Sequence, residues 1–177
     1  MTDILQEKWL KGIAVTTTVL AVVAAISASR SAFYVARAQL LTAQEGSQWA
    51  YFQAKSIKQH IAETQRKQFE AASLGSMTPE QQAFYTKSVD EYALEIKRYD
   101  QEKAEIKAQA ESTNKENVLA VKRGGQFSLS VVFAQIGIML SSVGALIKRR
   151  EMWIGGLLIG AISIVFLANG FLLFLPF

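Results

Sequence analysis

The sequence has no cysteine, one histidine and two prolines in 177 residues. Without cysteine there is no disulfide framework, thiolate nucleophile or thiolate metal ligand. No glycine-rich phosphate loop, Ser-His-Asp set or metal-ligand cluster can be read in the chain, so it is expected to be a non-enzyme with no catalytic residue, cofactor or metal. Charge is also missing from three long stretches. Residues 12–29, 127–147 and 152–177 hold 18, 21 and 26 residues without one Asp, Glu, Lys or Arg. An uncharged apolar run of about 18 residues, rising about 1.5 Å per residue, is long enough to cross a hydrocarbon layer about 30 Å thick. A soluble globular domain is excluded. A concentrated basic face is missing too: residues 30–126 mix 14 basic with 12 acidic side chains, which argues against nucleic acid as a partner.

The first apolar run follows Lys8 and Lys11 and ends in Ser27, Ala28 and Ser29, a pattern shared with cleavable signals. It is longer than an ordinary signal core and reads as a retained anchor, with Trp9 at interfacial depth. The connector 148–151 is only Lys148, Arg149, Arg150 and Glu151, and short basic connectors resist translocation. This places the N-terminal segment 1–11 and the connector in the cytoplasm, and the middle region and the C-terminus outside. The three adjacent cations, Lys148, Arg149 and Arg150, are candidate contacts for anionic lipid head groups.

Residues 30–126 hold one evident break, at 73–78. Gly75 is expected to end a helix in the left-handed conformation. Thr78 is expected to cap the next helix, with Pro79 at its first position and Gln81 completing a capping box. The break divides the region into arms 31–72 and 79–123, each roughly 60 Å if continuous, as an antiparallel helical hairpin requires. On the second arm, alternating steps of four and three from Tyr85 run through Val89, Tyr92, Ile96, Tyr99, Lys103, Ile106, Ala110, Thr113, Asn117 and Ala120. This is a heptad seam, bulky at the tip and polar toward the membrane. The same stepping on the first arm, from Ala36, gives Leu40, Ala43, Ser47, Ala50, Ala54, Ile57, Ile61, Thr64, Gln68 and Ala71. The two seams suit each other as well as either suits a copy of itself.

Trp49, Phe52 and Phe69 fall off that small-residue seam, and a lone two-helix hairpin offers them no other interior. Burying one such ring contributes about 2–3 kcal/mol, so self-association or docking is expected, with Trp49, Tyr51, Phe52, Lys55 and Phe69 the candidate contact patch. Within the apolar runs, Gly144, Gly156 and Gly160 allow close helix approach, and Gln135 and Asn169 are expected to find hydrogen-bond partners between spans or subunits. His60 beside Glu63 falls short of a metal site. Tyr85, Tyr92 and Tyr99, spaced by seven, are explained by seam packing rather than by a ligand box.

Two stretches point to a family. Phe33-Tyr34-Val35-Ala36-Arg37-Ala38 and, more specifically, Trp49-Ala50-Tyr51-Phe52-Gln53-Ala54-Lys55-Ser56-Ile57-Lys58, set between an anchor and a closing pair of spans, resemble the DUF4337-like bacterial membrane proteins. The resemblance covers nearly the whole chain. It implies a bacterial cytoplasmic membrane location and the order anchor, helical region, two spans, but no activity. The expectation is an all-α membrane protein with three transmembrane helices (12–29, 127–147 and 152–177) and a long, coiled-coil-like antiparallel hairpin between the first two. It would contact membrane lipids and assemble with itself into a scaffold in the inner membrane, with the hairpin periplasmic. The alternatives are an accessory subunit of a larger membrane complex or, less favoured, a pore or transport component.

Overall fold

The computed structural model describes residues 2–174, with side chains from Trp9 onward. The Lys8 side chain and residues 175–177, both used above, lie outside the described residues. The described residues form three helices and no strand: α1 (Thr2–Ala72), α2 (Pro79–Ile147) and α3 (Arg150–Leu172). No proline interrupts α1, and Pro79 opens α2, where its missing N–H leaves no hydrogen bond unmade. The first apolar run and the first arm are therefore one uninterrupted helix. Each of the three helices contains a stretch long and apolar enough to cross a membrane.

The break between α1 and α2 is capped as expected on its α2 side. The Thr78 N–H donates to Gln81 Oε1 at 3.1 Å and the Gln81 N–H donates to Thr78 Oγ1 at 3.3 Å, the reciprocal pair of a capping box. Gly75 differs from expectation. No described glycine has a positive φ, and α1 closes instead through the Ser73 N–H to the Phe69 carbonyl at 3.0 Å. The left-handed residues are Lys148 (φ 55°) and Leu173 (φ 51°), each just past a helix end. At Lys148 the Arg149 N–H reaches the Gly144 carbonyl at 3.0 Å, so α3 begins two residues before Met152, where the uncharged run begins.

The chain divides into two units, one of residues 1–40 with 117–177 and one of residues 41–116. In the first, parts of all three helices meet through small residues. Ser27, Ser130 and Ser163 are fully buried, and Ser27 Oγ lies 2.8 Å from Ser130 Oγ. Ser130 Oγ donates to the Ser163 carbonyl at 2.9 Å, and Ser163 Oγ returns the bond to the Ser130 carbonyl at 2.8 Å. Polar groups in an apolar segment must find protein partners, and these three hydroxyls do. In the second unit, residues 41–72 of α1 lie against residues 79–116 of α2, and aromatic side chains gather near the break: Phe69 stacks on Tyr92 (5.7 Å) and meets Phe84 edge-on (6.3 Å).

Candidate association surfaces

The second-arm seam positions, stepping from Tyr85 to Ala120, are all buried or half-buried, with Tyr99, Ile106, Ala110, Thr113 and Ala120 buried. The face they meet on α1 is not the small-residue stripe starting at Ala36. A continuous line of covered positions on α1 in this unit steps by four and three through 41, 45, 48, 52, 55, 59, 62, 66 and 69, with 56, 63, 65 and 70 half-buried beside it. Phe52 and Phe69, set off the seam in the sequence reading, are on it.

That seam is polar, which hides it from a search for apolar spacing. Glu45, Lys55 and Gln59 on it are matched across the interface, while Arg66 pairs with Glu70 on its own helix at 2.9 Å. The Asn114 side-chain N–H donates to Glu45 Oε1 at 3.1 Å. Lys55 Nζ meets Glu102 Oε2 at 2.6 Å. Gln59 donates to Asp100 Oδ1 at 2.9 Å and accepts from Lys103 Nζ at 2.6 Å. The cations are also held by rings: Lys55 lies 5.2 Å from the Tyr51 ring centre and 5.6 Å from that of Tyr99, and Lys103 lies 5.6 Å from the Phe52 ring. The hydrogen bond with Glu102 raises the Lys55 pKa above the ordinary lysine value, and the same bond holds the Glu102 carboxyl below its ordinary range. The available signal was the matching set Asp100, Glu102, Lys103 and Asn114 on the second arm.

The stripe from Ala36 to Ile61 lies uncovered. Leu40 is 68% exposed, Ile57 62% and Ile61 55%. Trp49 and Tyr51 are also exposed, so the expected contact patch divides. Trp49 and Tyr51 stand at the exposed edge, Trp49 edge-on to Phe52 at 5.6 Å and Tyr51 beside Lys55, while Phe52, Lys55 and Phe69 are engaged between α1 and α2. His60 Nδ1 stands 3.9 Å from Glu63 on an exposed surface, and the described residues hold no group of three or more potential metal ligands. Tyr99 donates its hydroxyl to Glu95 at 2.8 Å, and Tyr92 is occupied by Phe69; both serve packing.

In the first unit, Gly144, Gly156, Gly160 and Asn169 are buried. A Cβ on Gly156 would fall 2.8 Å from the Gly137 carbonyl oxygen, and one on Gly160 would fall 2.8 Å from Leu20. Asn169 donates to Gln126 Oε1 at 2.8 Å, both side chains buried. Gln135 differs: it is exposed on α2. Lys148, Arg149 and Arg150 are exposed around the α2–α3 turn.

Three helices able to cross a membrane, with a charged helical stretch between the first two apolar runs, define an all-helical membrane protein. The family model for a domain of unknown function, DUF4337, matches residues 9–173, and the chain belongs to that family. No curated protein and no solved structure matches it.

Proposed function

We propose that this protein is a self-assembling scaffold of the bacterial cytoplasmic membrane. Three transmembrane helices would anchor a long extramembrane hairpin through which copies associate. The observation that carries this reading is the second heptad stripe on α1, Ala36 to Ile61. It keeps the four-three spacing of a coiled-coil seam although the second arm occupies a different face of the helix. An antiparallel closure of the arms is supported by the order of their contacts, 45 with 114, 55 with 102, 59 with 100 and 69 with 92. The stripe suits a parallel copy. Its flanks set Gln39 against Gln44 and Gln53 against Lys58, with no like-charge pair.

The topology that goes with this reading puts the N-terminus and the Lys148-Arg149-Arg150 turn inside, against anionic lipid, and the hairpin outside. One observation favours a second reading, an accessory subunit: the stripe's charged flanks, Arg37 and Lys58, are both cationic and would complement an acidic partner helix. The native mass in mild detergent, with every co-purifying chain identified, decides between them. An integer multiple of 19.5 kDa that collapses on Ile57→Glu supports the scaffold. A stoichiometric foreign chain replaces it with the accessory reading, and a single protomer removes both.

A further inference from the structure

We propose that two copies of this chain meet inside the bilayer along α2, with Gln135 of each paired to its counterpart. The inference rests on the self-assembly reading and adds the membrane-embedded face of the contact. Gln135 lies eight residues inside the uncharged run that starts at Phe127, about 12 Å along the helix and far from either end. Its side chain is exposed. The other amides near these runs are treated differently, since Asn169 and Gln126 are buried against each other at 2.8 Å. Lipid tails offer an amide neither donor nor acceptor, so an outward glutamine at this depth calls for a protein partner.

The partner that fits is a second copy. An amide is both donor and acceptor and therefore complements itself. Two chains inserted in the same direction bring α2 beside α2, parallel and at equal depth, so each residue on the contact line meets its own counterpart. The exposed line through Gln135 suits that register: Val132 and Met139 lie one turn to either side, and Ser142 lies seven residues further on. Serine meets serine, glutamine meets glutamine, and the apolar knobs between them interdigitate. A foreign helix would need a polar group at this one depth. The copy supplies it by symmetry.

The natural chain has no cysteine, so single cysteines report the contact directly. Val132→Cys and Met139→Cys, oxidised in native membranes with Gln135 intact, are expected to form disulfide-linked dimers. Leu158→Cys, exposed on α3, is expected to stay monomeric. Adding Gln135→Leu should weaken dimer formation roughly tenfold, and Gln135→Asn should largely restore it. Cross-linking at 132 and 139 that is unchanged by Gln135→Leu overturns the role of the amide. Ala54→Cys on the extramembrane stripe separates the two ideas. Dimers through 54 without dimers through 132 or 139 sink the bilayer contact and leave the scaffold standing. No cross-link at any of these sites, with the native mass of one protomer, sinks both.

Discussion

Along α2, the covered positions from 120 to 141 include Ala120, Gly124, Phe127, Ala134 and Ser141, whereas from 85 to 106 the same four-three stepping gives Tyr85, Val89, Tyr92, Ile96, Tyr99, Lys103 and Ile106. One spacing thus serves two chemistries. In the apolar unit there is little to gain by moving a large side chain from lipid into protein, so small residues bring backbones together and serines supply the directional bonds. In the charged unit, rings supply buried area and ion pairs set the register. The medium determines which residues a seam can use, and a seam search tuned to one chemistry misses the other.

The sharpest way to break the comparison is at the glycines. Gly156→Leu drives a side chain into the Gly137 carbonyl and the Ser141 hydroxyl, at a cost on the order of 3 kcal/mol. At Gly155, its neighbour in sequence, an added Cβ meets nothing within 4 Å, and Gly155→Leu is expected to be tolerated. Thermal unfolding of both variants in detergent checks this, and equal loss in the two would refute close packing at Gly156. In the charged unit the dominant residue is expected to be aromatic. Phe69→Ala should cost about 2 kcal/mol, read as roughly thirtyfold faster hydrogen exchange in residues 60–95, while exposed Tyr51→Ala changes little.

The smallest effect is electrostatic. Glu102 has a lowered pKa when folded, so its contribution is present above the ordinary carboxylate range, about 4.3, and is lost as pH falls through the lowered value. Lys55 has a raised pKa, so its contribution is present below the ordinary lysine range and is lost only as pH rises past the raised value. The difference in melting temperature between the natural chain and Glu102→Gln should therefore be flat from about pH 5 to 9 and shrink toward pH 3. A difference that persists unchanged to pH 3 would show that the carboxylate is not what the pair needs.

These contrasts explain what could be read from the residues alone. The uncharged runs, the capping box of Thr78 and Gln81 and the second-arm seam all depend on local spacing, and local spacing is visible in a sequence. The first-arm seam was not, because Glu45, Lys55 and Gln59 look like a solvated face until Asp100, Glu102, Lys103 and Asn114 are set opposite them. The small-residue stripe from Ala36 attracted attention because it is the more apolar face, and it is the face left open. Gly75 misled for a related reason: a glycine permits a left-handed residue without requiring one, and the conformation appears instead at Lys148 and Leu173.

The turn at Lys148 bears on how the protein is made. Only Lys148 and Arg149 separate α2 from α3, and the Arg149 N–H is already tied back to Gly144. A connection that short leaves no slack for one apolar helix to settle in the bilayer while the other waits. The pair would enter as a doublet, with Ser130 and Ser163, and Gln126 and Asn169, answered by each other before they meet lipid, so that synthesis delivers a wedge rather than two separate threads.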